Sequence, residues 1–410
     1  MSLIFVLLLL LAQAALAAYR PRLAIVVLLL FASLESYRIP LGAYSMALSE
    51  AAMLAFVAGW LFFHRPKSLE LDGFFLPALV LLAAALLSVI VSPSPPRALI
   101  EWGQLVAYLA AGYSIYCILA SETLGSLRER GWFGYLLLFW FAAALLRWLV
   151  EGGAHWQAGF RDWNLLALAV SWFIPFVAPV DRRGWQNPSR SVSIYALGAG
   201  LAMIFLSFSR SGWGLFLLLI LLTGAAYLYH RFQPDVRALW RRHWGWIAGA
   251  AALLLIVFWA SGGWKALQQS VYLQARIGNN LLMILLFFEQ PWFGVGIGHY
   301  AAYVQNMAQP MPFQLSTDYN SLLQLLCETG IAGGAAYAVL LGVPVKRAIV
   351  RWMRAPDQVD SYALVWACSS LLISGFLFSI HLHVAGWIML GIFHAITRTM
   401  SPVQHNRAQD

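Results

Sequence analysis

Thirteen runs of mostly apolar residues follow one another along the chain, most of them close to the roughly 20 residues a helix needs to cross a bilayer. They lie at about 2–18, 22–36, 42–64, 73–92, 98–120, 131–150, 163–180, 191–209, 211–230, 245–261, 320–345, 361–380 and 383–399. No soluble core absorbs that much apolar surface. Of the 410 residues 61% are hydrophobic and 10% charged, against roughly 45–50% and about 25% in a soluble domain. Mean hydropathy is +0.72. The expected fold is all-α and polytopic, a bundle of about 12–13 transmembrane helices. The run at 2–18 has the length of a signal sequence, but it lacks a positive n-region and the apolar pattern continues past it, so it reads as a span.

The formal net charge of +9 would suit nucleic acid if the basic residues formed one surface, but they sort by connection instead. When alternate connections are assigned to one side, starting with Arg20 and Arg22, that side collects 19 of the 26 Lys and Arg residues, among them Arg65, Lys67, Arg182, Arg183, Arg347 and Arg398. Basic residues of short loops are retained in the cytoplasm, so this side is expected inside together with the C-terminus. The charge is topological, no nucleic-acid partner is implied, and membrane lipids are the expected partner of the basic cluster at 231–242. The three cysteines, Cys117, Cys327 and Cys368, lie inside apolar runs and fit small buried residues better than a disulfide framework.

One connection is long, at 262–319, and this topology puts it outside. Long loops usually have a task. Its start, 264–288, is expected to contain an amphipathic helix, and 291–298 is punctuated by glycines. The chain thus divides into N-terminal helices at 1–150, helices carrying Arg161 and Arg210 at 151–261, the outer loop at 262–319, and C-terminal helices with a short tail at 320–410.

Seven basic residues oppose the trend that sets the topology: Arg38, Arg97, Arg147, Arg161, Arg210, Lys265 and Arg276 fall at external helix ends or in outer loops. A planar guanidinium at a membrane boundary suits bidentate binding of phosphate. The alternative for each arginine is snorkelling to headgroups, or pairing with Glu151, Asp162 or Glu289. Arg210 separates two apolar runs with almost no loop between them. Its charge therefore sits at the outer mouth of the bundle, where an unpaired charge costs roughly 2.5–3.5 kcal/mol at worst and points to function.

Ser207-Phe208-Ser209-Arg210-Ser211-Gly212 resembles the Ser-x-Ser-Arg-x-Gly signature of the O-antigen ligase and O-antigen polymerase superfamily of bacterial membrane glycosyltransferases. Arg276 followed by Pro291-Trp292-Phe293-Gly294-Val295-Gly296-Ile297-Gly298 is similar to that superfamily's outer-loop pattern of an Arg, a helix and Pro-x-x-Gly-x-Gly-x-Gly. Asn320-Ser321-Leu322-Leu323 with Glu328 and Gly330 resembles its Asn-x-x-Leu-x-x-x-x-Glu-x-Gly element, and Gly159 through Asn164 and Leu165 its Gly-x-x-x-x-Asn-x-Leu. The four stretches cover roughly residues 155 to 345 in the superfamily's order.

The resemblance implies transfer of a glycan from an undecaprenyl-pyrophosphate donor to a hydroxyl of a glycan or lipid A-core acceptor. The reaction would take place on the periplasmic face of the bacterial inner membrane, without nucleotide sugar, cofactor or obligatory metal. Arg161, Arg210 and Arg276 are the candidates for holding the pyrophosphate, and Gly296, His299 and Asn320 the candidates for lying beside the substrate. The chemistry agrees: charge grows on the leaving pyrophosphate as the glycosidic bond breaks, and preplaced guanidiniums shielded from water stabilise it. In ligases of the superfamily a His precedes the Asn and is read as the general base, whereas here Tyr319 stands there, preceded by Asp318. An unperturbed Tyr with a pKa of about 10 is a poor base at neutral pH, so Asp318 is the preferred one. Tyr319 as a sugar-positioning group, His299, His381 and His383 are the alternatives.

Other constellations have simpler readings. His381-Leu382-His383 falls short of a metal site and reads as interfacial packing. Gly294-Val295-Gly296-Ile297-Gly298 reads first as a turn that lets backbones approach closely, with a phosphate cradle as the alternative. Glu328 is expected to hydrogen-bond locally near a helix break. Trp156, Trp163, Trp264 and Trp292 read as belt residues that could also stack on sugars. Two other function classes compete. A transporter or flippase of lipid-linked or anionic substrates would line a path through both halves of the membrane with polar groups, and a non-catalytic envelope scaffold would not need the outer arginines.

Overall fold

The computed structural model describes residues 3–34, 37–41, 44–64, 73–120, 132–150, 163–177, 188–206, 216, 271–300, 303, 320–354, 359–377 and 380–398. These residues are almost all helical: α1 (Leu3–Tyr19), α2 (Pro21–Ala32), α3 (Leu48–Phe63), α4 (Phe75–Val91), α5 (Pro95–Leu119), α6 (Trp132–Val150), α7 (Trp163–Val177), α8 (Pro188–Leu206), α9 (Val271–Glu289), α10 (Ser321–Arg354), α11 (Val359–Leu377) and α12 (Val384–Arg398). An antiparallel hairpin, β1 (Arg38–Leu41) with β2 (Tyr44–Ala47), precedes α3, and a 3₁₀ turn, Ile380–Leu382, precedes α12. Among the described residues, three stretches are long and apolar enough to cross a membrane: Pro95–Leu119, Phe133–Val150 and Ser321–Arg354. Shorter apolar helices accompany them.

Helix limits follow local chemistry. The run expected at 22–36 stops at Ala32, because Ser33 turns back on α2, its amide and hydroxyl both donating to the Leu30 carbonyl. The span expected at 42–64 begins only at Leu48. Residues 44–47 pair with 38–41, and the Glu50 carboxylate accepts the Ala47 amide at 2.9 Å, which caps α3 there. The span expected at 320–345 continues to Arg354 but is broken at Gly330. The spans expected at 211–230 and 245–261 lie outside the described residues except Phe216.

One core runs through the helices of 1–150, 163–206 and 320–398. Its largest buried side chains include Trp140, Trp172 and Trp387, so these indoles fill the interior and not a headgroup belt. Trp172 Nε1 donates to Ser374 Oγ at 3.1 Å and Trp387 Nε1 to the His381 carbonyl at 2.8 Å. Small residues set the closest crossings, as expected where van der Waals packing holds apolar helices together. A Cβ at Gly59 of α3 would overlap the Ala14 carbonyl of α1, and one at Gly391 of α12 would overlap the Gly112 carbonyl of α5. Outward faces are apolar: Leu7, Leu8 and Leu11 on α1, Leu86, Leu87 and Ile90 on α4, and Leu146 and Leu149 on α6 are exposed. All three cysteines are free thiols, Cys327 and Cys368 buried.

The two ends of the bundle differ. At one, the His64 ring donates from Nε2 to the Ala18 carbonyl at 2.6 Å, Gly73 lies against the Arg347 guanidinium, and Arg398 donates to the Tyr116 hydroxyl at 2.6 Å. At the other meet the hairpin, the α4–α5 corner, the loop after α9 and the start of α10. These are the connections that the charge pattern assigns to opposite sides.

Candidate functional site

The site is built on the break in α10. Gly330 has φ 72° and ψ −172°, a conformation essentially closed to residues with a Cβ, and it takes the chain out of the helical hydrogen-bond ladder. The loop after α9 takes up the freed groups. Val295 N–H donates to the Cys327 carbonyl at 2.9 Å, Gly296 N–H to the Glu328 carbonyl at 3.1 Å, and Ile331 N–H to the Pro291 carbonyl at 2.9 Å. Buried backbone polar groups are thereby satisfied across two segments.

The glycine spacing of the loop follows from this docking. Gly294, Gly296 and Gly298 all have positive φ, and each presents its bare Cα to a neighbour. A Cβ at Gly294 would overlap the Glu328 backbone, at Gly296 it would reach Ser92 Cβ, and at Gly298 it would overlap the Glu101 side chain. The reverse holds for Gly330, whose Cβ would meet the Trp292 carbonyl. The alternative of a phosphate cradle does not fit, because the amides are already used. Gly294 N–H donates to Gln290, Ile297 N–H to Ser88 Oγ at 3.1 Å, and His299 N–H to the Gly296 carbonyl, while Gly298 and Tyr300 donate to the Glu328 carboxylate. Gly296, expected beside the substrate, serves the packing of the loop.

Glu328 is the centre of this unit. It is buried at the break, and its Oε1 accepts from Tyr300 N–H and from Gln324 Nε2, both at 3.3 Å. The expected local hydrogen bonding near a helix break is therefore present, and it also reaches across to the loop. Tyr300 Oη donates to Asn279 Oδ1 at 2.8 Å, which ties α9 to the same unit. Ala275, Asn279, Met283 and Leu286 form the buried face of α9. Its other face exposes Ile277, Leu281, Leu285 and Phe288, so the helix is apolar on two sides and not amphipathic towards water.

Of the expected site residues, Gly296, His299 and Asn320 belong to this unit, and the half-buried Arg276 lies on α9 three positions before Asn279. Asn320 caps α10, its Oδ1 accepting Leu323 N–H at 3.0 Å. Trp292 is 72% exposed beside the break. Arg161, Arg210, Asp318, Tyr319, Trp156 and Trp264 lie outside the described residues, as does the side chain of Trp163.

Beside Arg97, one of the seven outer basic residues, the structure adds two acidic groups that were not singled out. Arg97 and Glu101 stand four apart on the first turns of α5, and Glu101 is close enough to interact electrostatically with Arg97, with Glu50 and with Glu328. Glu50 in turn accepts from the Tyr108 hydroxyl at 2.8 Å. The signal was available: acidic residues inside apolar runs, with an Arg at helical spacing beside one of them. Ser321 Oγ accepts the His381 amide at 3.2 Å, which brings the 3₁₀ turn to the start of α10, and both ring nitrogens of His381 are buried without a hydrogen-bond partner among the described residues.

His299 has its pKa lowered from 6.5, first by burial and second by the Arg97 charge, so the imidazole is neutral at pH 7 and free to accept a proton. The unfolded chain binds that proton first, so His299 subtracts stability as the pH falls through 6.5 towards the folded value. If His299 takes the acceptor proton, the acid limb of the activity profile lies below pH 6.5, and Arg97→Gln is expected to move it upward. A limb that stays in place in the variant would remove His299 from the candidate bases. Comparison with known proteins finds no protein-family model that matches the chain and no curated protein that does.

Proposed function

We propose that the chain is a polytopic membrane glycosyltransferase of about 12–13 spans, with its loop of 262–319 on the periplasmic face of a bacterial inner membrane. It would move a glycan from an undecaprenyl-pyrophosphate donor to a hydroxyl acceptor, as an O-antigen or exopolysaccharide polymerase or an O-antigen ligase. The observation that carries the reading is the docking of residues 291–298 onto the break at Gly330. Two stretches on which the superfamily resemblance rests form one unit, and it sits at the end of the bundle opposite the basic connections. The apolar outward faces support a lipid surround. A cavity of about 230 Å³ at the same end, lined by Met46, Met53, Leu54, Ile100 and Ala107 with Glu50 at its side, suits part of an isoprenoid chain.

In this reaction the acceptor oxygen attacks the anomeric carbon as the bond to the pyrophosphate oxygen breaks. The acceptor proton passes to Asp318, or to His299, while Tyr319 positions the sugar, and undecaprenyl pyrophosphate departs against Arg161, Arg210 and Arg276. Arg210→Ala and Arg276→Ala are each expected to lower transfer by about 10²-fold, the loss typical of one electrostatic contact to a developing charge. Surface polysaccharide from cells carrying each variant is the measurement. Short but attached chains identify a polymerase, and long but unattached chains a ligase. Donor accumulating on the inner leaflet would replace the proposal with a flippase, and unchanged glycans with a scaffold.

A further inference from the structure

At the basic end of the bundle a second cavity of about 730 Å³ opens between the α1–α2 turn, the end of α3 and α5. It is lined by Tyr19, Arg20, Arg22, Trp60, His64 and Ile118, among others. We propose that this groove binds the phosphate of an anionic lipid headgroup, with the acyl chain lying along its apolar wall.

Three features carry the assignment. First, Arg20 and Arg22, on either side of Pro21, both line the cavity, so two basic residues border one volume, a pattern suited to a phosphate oxyanion. Second, the groove is held open by fixed parts. Pro21 starts α2 with its restricted φ, Arg20 N–H donates to the Leu16 carbonyl at 2.7 Å, and the His64 ring bridges the end of α3 to the Ala18 carbonyl of α1. Third, the wall is amphipathic. Buried Trp60, half-buried Ile118 and exposed Leu23 line it, and Phe62 and Phe63 stand exposed beside it, Phe62 at 80%. Free phosphate would need only the arginines, whereas a lipid uses both the charged mouth and the apolar wall. The groove lies at the end opposite the glycine loop, and basic pockets at the cytoplasmic rim are where anionic headgroups concentrate.

The test uses the full chain in detergent and native mass spectrometry, with phosphatidylglycerol, phosphatidylcholine and inorganic phosphate as probes. Phosphatidylglycerol is expected to remain bound at least tenfold more tightly than phosphatidylcholine. Arg20→Gln with Arg22→Gln should abolish the difference, and Arg20→Lys with Arg22→Lys should keep most of it. Retention by inorganic phosphate alone would identify the source as free phosphate and overturn the lipid assignment. Because the glutamine pair could fail to fold, a second measurement leaves the arginines in place: maleimide labelling of Leu23→Cys should slow severalfold with phosphatidylglycerol and not with phosphatidylcholine. Equal binding of both lipids by wild type and the glutamine variant, or labelling unaffected by either lipid, overturns the site. None of these readouts depends on glycosyl transfer.

Discussion

A Gly330→Ala protein is expected to unfold far more easily than the wild type, with about 3–5 kcal/mol of stability lost. Two causes add. The backbone at φ 72° and ψ −172° strains any residue with a Cβ, and the new methyl group would overlap the Trp292 carbonyl, pushing out the loop whose amides bind the carbonyls of Cys327 and Glu328. The control is Gly342→Ala, farther along the same helix, where a Cβ meets nothing within 4 Å among the described residues. Alanine there is expected to be neutral or to stabilise by roughly 0.5–1 kcal/mol, the ordinary gain over glycine inside a helix. Heating both variants in detergent and following the remaining monodisperse protein separates them. Equal melting would mean that α10 passes Gly330 without the break.

Glu328→Leu is the second large effect. Leucine fills most of the volume but leaves the N–H groups of Gly298 and Tyr300 and the Gln324 amide without their acceptor. Each buried donor left unmet costs about 1–3 kcal/mol, so a total of roughly 3–5 kcal/mol is expected after some rearrangement. Glu328→Gln keeps a carbonyl oxygen in the same place and is expected to lose about 1 kcal/mol. The comparison asks what the carboxyl is for. A glutamine variant as stable as wild type but inactive in glycan transfer would give Glu328 a chemical role beyond its hydrogen bonds, and a stable leucine variant would remove it as the centre of the unit.

Helix positions were legible wherever an apolar run ended on a turn former. The expected 73–92 and 131–150 correspond to Phe75–Val91 and Trp132–Val150. The hairpin was not legible, because Tyr44, Met46 and Ala47 continue the apolar character of α3 and hydropathy does not distinguish strand from helix over so few residues. The break at Gly330 was hidden in the same way. One glycine inside a helical pattern is tolerated, and only the loop docked against it shows that this one adopts positive φ.

At the site, two residues expected beside the substrate have backbone roles: Asn320 caps α10, and Gly296 lets the loop approach the end of α4. Their positions in this chain serve the docking geometry, which a motif records without stating its cause. Arg97 was marked by its side of the membrane alone, and its grouping with Glu101 and Glu50 was not foreseen, because Glu50 sits on α3 and no local spacing announces a meeting between different helices.

Helix α12 lies in the middle of the bundle, with every residue from Val384 to Thr397 buried, and it packs against α2, α3, α5, α10 and α11. All five neighbours leave the ribosome before it does. On the proposed membrane reading the earlier helices would enter the bilayer around a gap that only a later segment fills, so final assembly would follow insertion and not proceed strictly from the N-terminus. Until α12 arrives, the faces of α5 and α10 that will receive it remain uncovered.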